Sequence, residues 1–174
     1  MSLTPPVGEH DHRRGPLAAP VMLVEYGDYE WGYCGEVYPV IRAVQNALGD
    51  RLCFVFRNFP MGEAHPHAVH AAELAEAAAA AGRFWPMHDL LFENQDRLDD
   101  ESLYSYGEQV GLDRSEVAAA LTGRFAQRIR KDFLSGVRSG VNGTPSLFIN
   151  GERYDGARDA QTLYAVLSGA ENNP

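Results

Sequence analysis

The chain divides into short apolar runs of strand length and longer segments in which apolar residues recur at helical spacing. Residues 21–27 (VMLVEYG) and 51–59 (RLCFVFRNF) are continuous apolar runs, which predict two buried strands. Between them, apolar residues three and four apart predict a helix from about Cys34 to Leu48. Strand, helix and strand within about 40 residues form a βαβ unit, and its strands are apolar on both faces, as a parallel, covered sheet requires.

The middle of the chain, from about His65 to Gly140, shows helical patterns and hardly any strand pattern. Successive helices are predicted there; one ends at Gly82, and the next carries a proline in its first turn. Beyond them, TPSLFING and ERYDG predict two strands joined by a turn at Asn150-Gly151, and a closing helix follows. The predicted order is therefore βαβ, a helical insert, and ββα.

Length and charge limit the classes of function. A chain of 174 residues with 45% hydrophobic content is enough for one compact domain. Its 24 acidic and 15 basic residues give a net charge of −9, which repels phosphate backbones and anionic lipid, so neither nucleic acid nor a membrane is an expected partner. No apolar run approaches the roughly 18 to 20 residues of a membrane span, and the N-terminal segment lacks the apolar stretch of a secretory signal. The chain as given is expected in the cytoplasm, or outside it if a signal was removed.

Six segments follow one another along the chain: GPLAAPVMLVEYGDYE, FVFRNFPM, HPHAVHAAELAEAA, GRFWPMHDLLFENQ, GLD and GVNGTPSLFINGERYDG. In this order they resemble the bacterial DsbA-like family of thioredoxin-fold proteins, over most of the chain from Gly15 to about Leu167. The resemblance implies an α/β, thioredoxin-like fold whose βαβ and ββα halves surround a central sheet. It also implies activity of the thiol-disulfide oxidoreductase type.

The predicted domain layout has two parts. Residues 1–19 are rich in proline, glycine and charge, and predict a linker or an arm across the surface, with order beginning near Pro20. A single domain is expected over residues 20–170. By resemblance, its thioredoxin core is interrupted at about residues 61–140 by the family's helical cap.

The sequence departs from the family at residues 31–34. Family members usually carry Cys-Pro-Tyr-Cys or a close variant there, whereas this chain has Trp31, Gly32, Tyr33 and Cys34 with unchanged spacing. In dithiol exchange, one cysteine attacks a substrate disulfide and a second resolves the mixed disulfide. Since the family's attacking cysteine is the one replaced, ordinary dithiol turnover is not expected from this chain alone.

Cys34 is the remaining candidate nucleophile, and two interpretations of it stay open. The first turn of a helix favours the thiolate, whereas burial in apolar surroundings disfavours it. In one interpretation Cys34 is a monothiol that attacks a disulfide or a peroxide and is released by glutathione or a second protein. In the other, Trp31 covers a sulfur that only fills space. Cys53 lies in an apolar run at the opposite edge of the predicted sheet, which indicates a buried core thiol and not a disulfide partner for Cys34.

Thr144-Pro145 precedes the third predicted strand. By resemblance it is the family's cis-proline facing the active-site turn, where exposed backbone before the proline can pair with an extended peptide or with glutathione. The alternative is a turn kept for folding.

Two function classes are therefore predicted. One is a redox enzyme acting through Cys34 on protein or peptide thiols and disulfides, with no tightly bound cofactor expected and glutathione as the candidate one. The other is a redox-inert peptide-binding or chaperone-like module using a groove around Trp31 and Pro145.

Asp28 and Glu30 come directly before the Trp31–Cys34 segment. Either carboxylate can shuttle a proton for Cys34 if it is partly buried. Carboxylates on the surface are nevertheless the simpler expectation for both.

Three histidines, His65, His67 and His70, lie close together in HPHAVH. They predict the start of a helix and no metal site, because no clear carboxylate or cysteine completes a tetrahedral shell. The aromatic residues Phe84 and Trp85, together with Phe92 eight residues after Phe84, are expected to pack inside the helical cap.

Overall fold

The structure is a computed structural model, and it describes residues 1–171. The strands are β1 (His12–Arg14), β2 (Val21–Gly27), β3 (Leu52–Asn58), β4 (Ser146–Ile149) and β5 (Glu152–Tyr154). The helices are α1 (Gly32–Leu48), α2 (Ala68–Ala80), α3 (Phe84–Glu93), α4 (Asp100–Gln109), α5 (Arg114–Leu121), α6 (Ala126–Arg138) and α7 (Ala160–Ala170). Every strand and helix that the sequence predicts is present, and β1 is an addition. Over residues 1–171, no helix combines the length and the apolar character needed to cross a bilayer.

The five strands form one sheet in the order β1-β3-β2-β4-β5. This sheet belongs to the first of two compact units, the sheet unit, which comprises residues 1–27 and 36–57 and the described residues from Leu134 onward. The pairs β1/β3, β2/β4 and β4/β5 are antiparallel. β2 and β3 are buried almost throughout, which confirms the expectation from their continuous apolar runs.

The turn between β4 and β5 lies where the sequence predicts it. Asn150 and Gly151 both have positive φ, 49° and 85°, and Ile149 pairs with Glu152 across them. A two-residue hairpin turn of this kind needs left-handed backbone at both positions, which asparagine and glycine adopt at low cost. The local sequence therefore sets the register of this hairpin.

The prediction that order begins near Pro20 is wrong. His12–Arg14 form β1 beside β3, and Leu3 is buried with its N–H donating to the carbonyl of Gly151 at 2.7 Å. A strand of three residues in a segment rich in proline and glycine leaves little periodicity to read, and it forms because partners distant in sequence pair with it. Residues 1–19 are thus an arm packed on the sheet unit and not a linker.

A buried arginine fastens this arm. Arg57 is 2% exposed, and it donates to both carboxylate oxygens of Asp11 at 2.8 and 3.0 Å and to the carbonyls of Pro5 and Pro6. It also donates to the hydroxyl of Tyr26 at 2.8 Å. Burial lowers the pKa of the Arg57 guanidinium, but the hydrogen bonds and charges of Asp11 and Tyr26 raise it more, so the pKa stays above its usual value.

Arg57→Met is expected to destabilise the protein by about 3 kcal/mol, because it removes the buried guanidinium that is paired with the Asp11 carboxylate. Urea unfolding followed by circular dichroism measures the change. Adding Asp11→Asn to the variant should recover part of the loss. Arg51→Met, which breaks the exposed Arg51–Glu171 pair, is the matched control and should cost less than about 1 kcal/mol. Equal losses of stability for the two arginine variants would contradict the conclusion that Arg57 fastens the arm.

The second unit, the helical unit, comprises residues 28–35 and 58–133. It matches most of the predicted insert but also takes in the segment around Cys34, which the sequence assigned to the thioredoxin core. A buried polar network lies inside it: the N–H of Asn58 donates to Asp132 at 3.1 Å, and the side-chain amide of Asn58 donates to Glu76 at 2.7 Å. Burial raises the pKa of the Asp132 carboxyl.

Aromatic packing in the helical unit confirms the expectation for α3. Phe84 and Phe92 are each 6% exposed, and His88 lies between them along the helix with its ring against both. Trp85 contacts His88 edge to face. Tyr29 completes the cluster, because its hydroxyl lies 3.0 Å from His88 Nδ1 and its ring packs on Phe92. The cluster therefore ties α3 to the segment that precedes Cys34.

Candidate functional site

Cys34 is the third residue of α1, which begins two residues earlier than predicted. The residue is 0% exposed, and the N–H of Asp28 donates to Cys34 Sγ at 3.5 Å. Cys53 is also 0% exposed, and burial raises the pKa of its thiol, so the prediction of a buried core thiol is confirmed. Both cysteines are thiols. Nucleophilic attack by Cys34 therefore requires the surrounding segment to open.

Three rings lie next to one another at the start of α1, and we call them the aromatic row: Tyr33, Trp31 and His65. Trp31 contacts Tyr33 edge to face with ring centroids 5.1 Å apart, and it stacks on the imidazole of His65 at 4.9 Å with 22° between the planes. Tyr33 is 58% exposed, whereas Trp31 and His65 are partly exposed. The row thus offers open aromatic surface directly beside the residues that hold Cys34.

Asp28 is buried, which corrects the expectation of a surface carboxylate. It is 1% exposed, and its carboxylate accepts hydrogen bonds from the N–H groups of Glu30 at 2.9 Å and Met61 at 2.8 Å. His65 Nδ1 lies 2.7 Å from Asp28 Oδ2. The Asp28 carboxylate therefore joins the segment that holds Cys34 to the backbone of Met61 and to the ring of His65.

Glu30 is half-buried and caps a helix of the insert. Its Oε2 accepts a hydrogen bond from the N–H of His67 at 2.6 Å, and His67 is the residue directly before α2. A carboxylate at this position is stabilised by the exposed N–H groups of the first helical turn. Glu30 therefore fixes the 28–35 segment to α2.

Gln95 holds the same segment from the loop after α3. Its side-chain N–H₂ donates to the carbonyls of Tyr29 at 2.7 Å and Trp31 at 3.1 Å. A Cβ atom at Gly35 would collide with the Gln95 amide, so glycine at position 35 is what allows this approach. The contacts of Gln95 and His65 with residues 28–35 were not predicted, because neither residue belongs to a local sequence pattern with that segment.

Thr144 and Pro145 belong to the sheet unit. The peptide bond between them is cis. Both residues are buried, with Thr144 at 9% exposure, so this backbone is less open than the sequence led us to expect. Their pairing with a peptide or with glutathione stays a prediction.

Glu25 is a buried carboxyl that was not predicted from the sequence. It is 2% exposed near the end of β2, and Oε1 makes no hydrogen bond within the described residues. Burial raises the pKa of the Glu25 carboxyl to about 8, although the positive charge of Arg158 lowers it. The signal in the sequence was a single carboxylate inside the apolar run VMLVEYG.

The three clustered histidines take separate roles. His65 binds Asp28, His67 precedes α2, and His70 Nδ1 lies 2.7 Å from Asp100 on α4. Within residues 1–171, no three or more His, Cys, Asp or Glu side chains are grouped so that they could hold a metal ion.

A five-stranded sheet, an inserted helical unit, and a cysteine in the first turn of α1 define a protein of the thioredoxin fold. The comparisons agree. The chain belongs to the thioredoxin-like family whose sequence profile, described as thioredoxin, matches residues 8–168.

Solved structures confirm the fold. A thioredoxin-like oxidoreductase from Silicibacter pomeroyi superposes with a TM-score of 0.83 at 20% identity, covering 96% of this chain and 95% of its own. Oxidised BdbD from Bacillus subtilis gives a TM-score of 0.83 at 20% identity, with 94% of each chain covered. For α-DsbA1 from Wolbachia pipientis the values are 0.83 and 16%, over 95% of this chain and 92% of that one. At these identities the likeness establishes fold and nothing finer.

Similar sequences occur within larger proteins. The chain is 40% identical over 163 residues to "Na(+)/H(+) antiporter NhaA 1" of Salinispora arenicola and 42% identical over 165 residues to NhaA 3 of Salinispora tropica. Each alignment covers 93% of this chain and 25% of the relative. The NhaA of Herminiimonas arsenicoxydans is 41% identical over 96% of this chain and 27% of its own length. The chain thus spans about a quarter of these curated relatives.

Proposed function

We propose that this chain is a thioredoxin-fold binding module for an extended peptide segment and that it does not carry out dithiol exchange. One observation carries the proposal: the single sulfur at the start of α1 is 0% exposed. The position three residues earlier, where the DsbA-like family carries its attacking cysteine, holds Trp31. Exchange needs an accessible attacking thiolate and a second thiol to resolve the mixed disulfide. This site holds one thiol, Cys34, and that thiol is buried.

The surface that replaces the attacking thiol supports binding. Trp31 and Tyr33 present aromatic area beside Cys34, and they are held in place by Gln95 and by the stack on His65. Aromatic side chains bury much apolar area with few rotatable bonds, so they bind ligands at a low entropic cost. The segment is therefore suited to hold a ligand without reacting with it.

A monothiol route through Cys34 is the second candidate. The hydrogen bond from the N–H of Asp28 to Sγ favours a thiolate, as does the position in the first turn of α1. In this route the Cys34 thiolate attacks a substrate disulfide and expels one substrate thiolate, which leaves a mixed disulfide. Glutathione thiolate then attacks that disulfide, forms a disulfide with the substrate sulfur and releases Cys34. The route needs local opening at every turnover.

The names of the curated relatives suggest a partner for such a module. Each relative is called a Na(+)/H(+) antiporter, and this chain matches about a quarter of it. We therefore propose a transporter of that kind as the partner, with this module binding a segment of it.

Trp31→Cys is expected to create insulin-disulfide reduction in the presence of dithiothreitol, because it restores the spacing of two thiols that exchange requires. The wild-type protein and Trp31→Ala should reduce insulin no faster than dithiothreitol alone. The double variant Trp31→Cys/Cys34→Ser is the matched control, and it should lose multiple turnover. Wild-type turnover that disappears in Cys34→Ser would instead establish the monothiol route and overturn the binding-module proposal.

A further inference from the structure

We infer that the aromatic row and the acidic residues around it bind a cationic side chain, lysine or arginine, of an extended basic peptide. The inference rests on the proposed binding function and names the chemistry of the ligand. It follows from two properties of the helical unit: local charge and exposed rings.

The segments that carry the row have acidic side chains and no lysine or arginine. Residues 28–35 and 58–70 include Asp28, Glu30 and Glu63. Asp28 and Glu30 are hydrogen-bonded within the helical unit, whereas Glu63 is exposed two residues before His65. The chain as a whole carries −9. An acidic peptide is repelled by this net charge, whereas a basic one is attracted.

The rings supply the second half of a cation site. The face of an aromatic ring attracts an ammonium or guanidinium group, most strongly for tryptophan and tyrosine. Tyr33 is 58% exposed, and Trp31 is partly exposed beside it. Large open rings fit a long basic side chain, whose methylene stem packs on the ring while its charged head stays in water.

The row therefore matches a cationic side chain in charge and in ring surface. A purely apolar ligand would match the rings alone.

The test is a set of three extended peptides of one sequence, identical except for a central lysine, norleucine or glutamate. Isothermal titration at low ionic strength, with the full chain, is expected to show the lysine peptide binding about tenfold more tightly than the norleucine peptide, which has the same length without the charge. The glutamate peptide should bind most weakly. The advantage of lysine should shrink as salt is added, because screening weakens exposed charge interactions.

Matched variants locate the effect. Tyr33→Ala and Glu63→Gln should each reduce the preference for lysine over norleucine. Tyr164→Ala removes another exposed tyrosine, and Glu101→Gln makes the same charge change on α4; both should leave that preference unchanged. Equal binding of the lysine and norleucine peptides would overturn this inference while leaving the binding module in place. Binding of none of the three peptides would overturn both.

Discussion

In a Cys53→Ala background, native Cys34 is expected to react with iodoacetamide about 10³-fold or more slowly than the same thiol in the unfolded chain. The reason is burial. Because Cys34 is 0% exposed, the reagent reaches Sγ only when the segment or the whole fold opens. The measurement is the alkylation rate at several pH values, followed by mass spectrometry in the presence and absence of urea.

A matched control moves the thiol by one residue. In Tyr33→Cys/Cys34→Ser, made in the same background, the thiol occupies a position that is 58% exposed in the wild-type protein. It should react rapidly in the folded protein, and the midpoint of its rate against pH should lie at or below the ordinary thiol pKa of about 8.5, because the position belongs to the first turn of α1. If native Cys34 is alkylated rapidly, and the midpoint of its rate against pH lies well below about 8.5, the binding-module proposal is contradicted and the monothiol route is favoured.

Glu25→Gln is expected to stabilise the protein at pH 9 by roughly 5 kcal/mol at most and to change stability little at pH 4. The direction follows from two pKa values of one carboxyl, 4.5 in the unfolded chain and about 8 in the fold, where burial raises it more than Arg158 lowers it. The folded state therefore binds the extra proton between those values. Stability that this carboxyl contributes is fully present below pH 4.5 and is lost as pH rises through 8.

Urea unfolding of both proteins at pH 4, 7 and 9 measures this difference. Glutamine keeps the size and polarity of the side chain but cannot ionise, so the stability of the variant should fall less as pH rises. Glu101→Gln makes the same change at an exposed position and should follow the wild-type pH profile. Parallel profiles for wild type and Glu25→Gln would show that Glu25 ionises without cost.

The fold was largely predictable because its signals are local. The continuous apolar run at Val21–Gly27 requires a buried strand, and the Asn150-Gly151 pair requires a hairpin turn, whatever the rest of the chain does. Caps also lie in the sequence: Asp113 accepts from the N–H of Glu116, which in turn bonds the Asp113 N–H, and α5 begins there. Such features depend on residues a few positions apart.

The site was less predictable because its contacts join distant residues. Asp28 looked like a surface carboxylate, and only its bonds to Met61 and His65 show why it is buried. The prediction that order begins near Pro20 failed for the same reason, since β1 forms by pairing with β3 and Arg57 holds Asp11 just before it. The role of Cys34 as a nucleophile stays a prediction, and its burial was one of two open interpretations until the structure placed it.

Gly35 and Gln95 couple the start of α1 to the loop after α3. The Gln95 amide occupies the space that a side chain at position 35 would need, and it bonds the carbonyls of Tyr29 and Trp31. A larger residue at position 35 therefore displaces the amide from these two carbonyls. The stiffness of the backbone that carries Trp31 thus depends on the absence of a side chain four residues later.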